Sequence, residues 1–315
     1  MNVTAQPGAQ NLGIAGAFAS ATAWGASGVI AKAIDMGGLA VVAYRFWLST
    51  VVFFFFLFLT GRLPSRETYR VALPGGIALA ADVALFFSAV KLTTVANATV
   101  LAAMQPLLMM YLGTRLLGER VHLRQILWSI VALTGVGILV FGSSGQDEWS
   151  PLGDLLAVGA LIAWTGYLFF SKSTQGKVTP LEYTAITGLI SAVGATILAP
   201  LFAQDLSWPA TRDWVLLGAM AFGSGLCAHL LMNWALTRIP VWLGSTTTLL
   251  IPAAATAMAW AWLGESATAV QVGGILVTLV ALGALVLAKV GAADGPVISA
   301  EPDKTATEPP AGGSV

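Results

Sequence analysis

PLLMMYLGTRLLGER, residues 106–120, returns 146 positions later as PAAATAMAWAWLGES, residues 252–266. In each stretch a proline opens an apolar run that closes on Leu-Gly-Glu, first as Leu117-Gly118-Glu119 and then as Leu263-Gly264-Glu265. The correspondence continues from Gly137, Leu139 and Val140 to Gly283, Leu285 and Val286. Nearer the N-terminus the offset is 140, matching Leu12-Gly13 with Leu152-Gly153, Trp24 with Trp164 and Lys32 with Lys172. The chain is therefore a duplicated unit, and the unit is almost entirely apolar. That combination predicts a polytopic membrane protein whose halves enclose a site at their interface.

Composition supports this. Hydrophobic residues make up 57% of the 315 and charged ones 10%, against roughly 45–50% and about 25% in soluble domains. The formal net charge is zero, which offers nothing to nucleic acid. The single cysteine, Cys227, has no internal disulfide partner and reads as a small core residue. The first apolar run lacks the basic region of a signal peptide and is long enough to span, so it is read as a retained transmembrane helix.

A helix needs about 20 apolar residues to cross the hydrocarbon core. Cutting at charged and turn-rich breaks predicts an all-α protein of ten transmembrane helices, at 12–34, 39–60, 71–91, 96–117, 123–142, 152–172, 180–203, 212–236, 242–263 and 268–289. The repeats are then 12–145 and 150–290, between polar tails at 1–11 and 291–315 that are expected to be disordered. With the N-terminus in the cytoplasm, eleven Lys and Arg fall inside and only Lys32, Lys91 and Arg212 outside, with Arg45 within helix 2. The positive-inside bias thus predicts two cytoplasmic termini. Five helices per repeat is an odd number, so the repeats must be inverted relative to each other. Inverted repeats give a simple route to alternating access.

The paired pattern of proline, Leu-Gly-Glu, a short polar stretch and a glycine-rich helix (Gln125 to Gly135 and Gly137; Gln271 to Gly283) resembles the EamA-type domain of the drug/metabolite transporter superfamily, present twice over residues 12–289. The resemblance implies a basket of ten helices, with helices 1, 3, 4, 6, 8 and 9 lining a central cavity and helices 5 and 10 at the periphery. Within the superfamily, the length and the tryptophans of helices 1 and 6 look most like bacterial amino-acid exporters, particularly the YddG-like aromatic amino-acid exporters.

Candidate site residues follow from depth and pairing. Pro106 and Pro252 each remove a helical hydrogen bond and would free the carbonyls of Ala102 and Thr248, with Gln105 and the Thr246-Thr247-Thr248 run as nearby donors. They read as bends in cavity-lining helices, or as tolerated kinks. Asp82 and His229 lie deep in helices 3 and 8, where ionisable groups are expensive and face a bundle interior, a partner or water. Asp82 could bind a substrate ammonium or carry a proton, and His229 could carry a proton. A polar contact between helices is the alternative for both. Trp24 and Trp164 suit stacking on an aromatic or cationic substrate, or core packing. Ser20, Ser27 and Gly28 share the Trp24 face, Tyr167 lies near Trp164, and Asn233 with Trp234 are further candidates in helix 8. Glu119 and Glu265 read as structural caps for the helix start that follows each. Lys32, Lys91 and Lys172 read as snorkelling from helix ends. Arg45 could meet a substrate carboxylate, but the outer headgroups are the favoured reading. The run Phe53-Phe54-Phe55-Phe56 covers every face of its helix and reads as lipid contact.

The expected function is a secondary transporter of the inner (plasma) membrane that exports amino acids or similar amphipathic metabolites, with the bilayer and a small-molecule substrate as partners. Protons are a candidate coupling ion. No cofactor or metal is implied: the chain has no Walker-type phosphate loop and no metal-ligand spacing. Drug, nucleoside or metabolite efflux by the same fold is the alternative. A membrane enzyme fits poorly, because His122 and His229 are the only histidines and lie far apart in sequence.

Overall fold

A computed structural model of the chain describes residues 7–93, 95–142, 150–264, 267–290 and 297–298. Its helices, in order, are α1 (Pro7–Lys32), α2 (Gly38–Leu59), α3 (Arg66–Leu92), α4 (Val95–Ala103), α5 (Gln105–Leu116), α6 (Leu123–Phe141), α7 (Pro151–Ser173), α8 (Pro180–Leu201) and α9 (Thr211–Met220). A π-helical segment, Ala221–Ala228, follows, and then α10 (His229–Leu236), α11 (Val241–Thr247), α12 (Leu250–Leu263) and α13 (Ala269–Val290). Among the described residues, nine helical spans are long and apolar enough to cross a membrane, one of them made of α11 and α12. The tenth crossing, residues 95–116, consists of the two short helices α4 and α5. The first helix starts at Pro7, within the stretch expected to be a tail, and Val297–Ile298 of the other tail pairs antiparallel with Val121–His122.

Local chemistry explains the ends. Ser65 and Thr179 each accept the backbone N–H three residues on, from Thr68 at 3.1 Å and Glu182 at 3.2 Å, and both ends close as reciprocal capping boxes. The Leu-Gly-Glu motif is a helix stop. Gly118 (φ +66°) and Gly264 (φ +68°) are left-handed just past α5 and α12, a conformation that glycine adopts without a Cβ clash. Pro106 and Pro252 sit in the first turns of α5 and α12, where a missing N–H costs little. The helix is interrupted before each proline, at Met104 and at Thr248-Leu249. The Thr248 carbonyl is not freed: it accepts the Ile251 N–H at 3.0 Å.

Packing follows the repeat. α1 lies against α12, the π segment and α10, as α7 lies against α4, α5 and α3. α2 pairs with α8 and α6 with α13, each with its own repeat equivalent. The α6–α13 contact is close because glycines face each other. A Cβ on Gly135 would lie 2.7 Å from the Thr278 nitrogen, and one on Gly274 2.7 Å from the Gly135 carbonyl oxygen. Small residues let membrane helices approach this way without a hydrophobic driving force. The phenylalanine run divides by face: Phe55 and Phe56 are exposed, whereas Phe53 is buried in a cluster with Leu57 and Ala185. It is therefore only in part a lipid surface, because residues two apart on a helix point to different sides.

Candidate functional site

Between the repeats lies a cavity of about 270 Å³. Its wall draws on both halves: Trp24 from α1, Arg45 from α2, Asp82 from α3, Thr99 from α4, Trp164 from α7, His229 from α10, and Thr248 and Pro252 at the α11–α12 break. Apolar side chains such as Leu79, Val83, Phe86 and Ile251 supply most of the remainder.

An aromatic cluster forms one side. Trp24 meets Trp164 edge to face with centroids 5.1 Å apart, and the His229 ring lies 5.1 Å from Trp24 and 5.8 Å from Phe46. Behind this wall runs a buried polar chain. Tyr167 Oη is 3.1 Å from His229 Nδ1, and Asn233 Nδ2 donates to both Tyr167 Oη and Thr184 Oγ1 at 2.9 Å. Ser171 Oγ donates to Asn233 Oδ1 at 2.7 Å, and Tyr183 Oη to the Tyr167 carbonyl at 2.8 Å. Among apolar helices each of these groups is costly unless paired, and the chain pairs them.

Asp82 and Arg45 are the charged groups of the wall. Asp82 is partly buried and makes no side-chain hydrogen bond among the described residues. Arg45 Nη1 donates to Ser224 Oγ at 3.2 Å and more weakly to Ser27 Oγ at 3.4 Å, and its guanidinium carbon lies 4.7 Å from the Phe46 ring centre. Its Nε is buried without a hydrogen-bond partner. No ion pair within 4.0 Å joins Arg45 to Asp82 among the described residues.

The π segment makes this arrangement possible. Its Gly223-Ser224-Gly225 sequence favours a widened turn, and two hydroxyls from outside secure its carbonyls. Ser20 Oγ donates to the Ala228 oxygen at 2.8 Å, and Ser49 Oγ to the Ala221 oxygen at 3.0 Å. Gly225 packs on Ser49 with no room for a Cβ. The widened turn carries Ser224 to Arg45 and delivers His229 to the wall.

Of the residues singled out from sequence, Trp24, Asp82, Trp164, His229, Thr248 and Pro252 line the cavity. Tyr167 and Asn233 do not; they form the buried layer behind His229, because their helix faces turn toward α8. Ser27 lies outside the wall, bonded to Arg45. Gln105 and Pro106 are buried away from the cavity, where Gln105 Oε1 accepts the Ser245 hydroxyl at 2.8 Å. Arg45 is the residue misplaced by sequence reasoning. It turns inward to the cavity instead of outward to headgroups. The Gly-Ser-Gly of residues 223–225, small and polar in an apolar helix, was the signal for its partner.

Two charged residues end up as helix terminators. Glu119 Oε1 accepts the Val241 N–H at 2.7 Å and Oε2 the Trp242 N–H at 3.3 Å. It thus caps α11 of the other repeat, not the helix that follows it. Burial pushes its carboxyl above the ordinary range, against the pull of the Val241 N–H, the Lys172 charge and the Trp242 N–H. Lys172 does not snorkel: Nζ donates to the Leu236 and Ile239 carbonyls at 2.6 and 2.9 Å, closing the end of α10. Glu265 lies outside the described residues, as do the side chains of Lys32 and Lys91.

The chain matches the EamA-like transporter family twice, over residues 11–141 and 151–287. It is 29% identical to the uncharacterized transporter YwfM of Bacillus subtilis over 58% of this chain and 61% of that protein, so it spans less than two thirds of that relative. It is 27% identical to the aromatic amino acid exporter YddG of Ancylobacter novellus, over 44% of this chain and 48% of YddG. It is also 27% identical to the threonine/homoserine exporter RhtA of Escherichia coli (strain K12), over 81% and 82% of the two chains. A solved crystal structure shares the fold, with a TM-score of 0.79 over 92% of this chain and 100% of that one at 20% identity. With one match in each half and apolar crossings throughout, the chain belongs to the EamA-like transporter family of multi-pass membrane proteins.

Proposed function

We propose that this protein exports neutral amino acids, aromatic ones included, by alternating access through the cavity between its repeats. The observation that carries this reading is the wall itself: Trp24, Trp164 and His229 form an aromatic face beside the unbonded carboxylate of Asp82. The aromatic face packs the substrate side chain, and Asp82 meets the ammonium. Relatives named as exporters of aromatic amino acids and of threonine and homoserine support the same substrate class.

The test is flux of labelled phenylalanine, tryptophan and threonine through purified protein in liposomes. Uptake that Asp82→Asn and Trp164→Ala each reduce supports the reading. Well-folded protein that moves no amino acid sinks it and returns the substrate to other metabolites. Running the assay with and without a pH gradient separates proton-coupled export from facilitated diffusion.

A further inference from the structure

We infer that Arg45 is the carboxylate anchor of this cavity, so that the protein selects α-amino acid zwitterions and rejects amines and acids of the same shape. The inference rests on the amino-acid reading above and adds to it the group that recognises the other end of the substrate.

An arginine within an apolar bundle is expensive unless its charge is answered. Among the described residues only one of the guanidinium nitrogens of Arg45 is hydrogen-bonded, Nη1 to Ser27 and Ser224. Those hydroxyls and the Phe46 ring fix the plane of the group without neutralising it. Nε is buried and unbonded, and Nη2 makes no hydrogen bond among the described residues. A guanidinium held at Nη1 with Nη2 unbonded has a fixed donor left to offer a carboxylate in a charge-assisted bond.

Asp82 shares the wall and makes no side-chain hydrogen bond among the described residues, yet it does not close on Arg45 within 4.0 Å. A positive and a negative group, held apart on one wall, are together satisfied by a ligand that carries one of each. The remaining wall is aromatic and aliphatic apart from Thr99, Thr248 and the His229 ring, so a third ligand charge finds no counter-charge. Neutral side chains are accepted; acidic and basic ones are excluded by desolvation.

The first arm of the test needs no variant. Wild-type protein in liposomes is assayed for phenylalanine uptake in competition with phenethylamine, which lacks the carboxylate, and with 3-phenylpropionate, which lacks the ammonium. Unlabelled phenylalanine is expected to compete at least about tenfold better than either analogue, the scale of one lost charge-assisted contact. In the second arm, Arg45→Gln is expected to raise the KM for phenylalanine about tenfold or more while bringing phenethylamine level with it as a competitor. Ser224→Ala, which loosens the guanidinium without removing it, gives a smaller rise in the same direction. Wild-type uptake to which phenethylamine is as good a competitor as phenylalanine overturns the inference, and so does an Arg45→Gln protein with wild-type KM. Either result leaves amino-acid export standing. A wild type that neither transports nor is thermally stabilised by phenylalanine overturns both readings together.

Discussion

Trp24 and Trp164, equivalent in the two repeats, meet edge to face across the centre of the molecule with ring centroids 5.1 Å apart. Duplicated positions thus become neighbours at the pseudo-symmetry axis, and the cavity is built where they touch. The pair couples the halves directly. Trp24→Leu and Trp164→Leu should each destabilise the protein, and the double variant should fall short of their sum by about 0.5–1.5 kcal/mol, the usual worth of an aromatic pair beyond its burial. Unfolding in detergent measures this cycle. Strict additivity would mean that the rings merely coexist.

The layer behind the wall makes a different prediction. Asn233→Ala strands the Ser171 hydroxyl and takes a donor from Thr184 and the Tyr167 hydroxyl, all bonded to its amide. The expected cost is about 1–3 kcal/mol of stability, toward the low end if water enters. Relative preference among amino acids should not change, since Asn233 does not reach the cavity. A specificity change without a stability loss would place Asn233 on the substrate instead.

This contrast marks how far the sequence could be read. Depth and repeat spacing located Trp24, Asp82, Trp164 and His229, because a buried polar or aromatic residue at mid-helix has few places to go. They did not locate Arg45, Tyr167 or Gln105 correctly. Which way a side chain turns depends on helix rotation and on partners distant in sequence, here Ser224 for Arg45, Asn233 for Tyr167 and Ser245 for Gln105. The helix stops at Gly118 and Gly264 were visible as Leu-Gly-Glu, whereas the target of Glu119 was not. Its partner is 122 residues away in sequence, and no local pattern encodes that contact.

Glycine positions in α6 give opposite signs at neighbouring sites. Gly135→Ala drives a methyl into the Thr278 backbone of α13 and should cost about 1–3 kcal/mol. Gly137→Ala meets nothing within 4 Å and should gain about 0.5–1 kcal/mol from helix propensity. Melting temperatures of the two variants decide the matter; a shift of the same sign in both would refute the α6–α13 contact.

Glu119 carries a pH signature. Because burial raises its carboxyl value in the folded state, its contribution to stability is complete below its unfolded value and is lost as pH rises through the folded one. Over that interval, wild-type stability should decline more steeply with pH than that of Glu119→Gln. Glu119→Ala should lose about 0.5–2 kcal/mol at acidic pH, as a missing helix cap does. Melting curves recorded through the acidic range test both statements, and parallel wild-type and Gln profiles would contradict the first.

The acceptor that finishes α11 belongs to the opposite half of the chain. A five-helix protein that ended in the first Leu-Gly-Glu alone would hold a carboxylate with no helix start to receive it. A second copy inserted upside down in the same bilayer would supply that start. Fusion of the two halves makes the contact intramolecular, so helix closure no longer depends on how densely the membrane is populated.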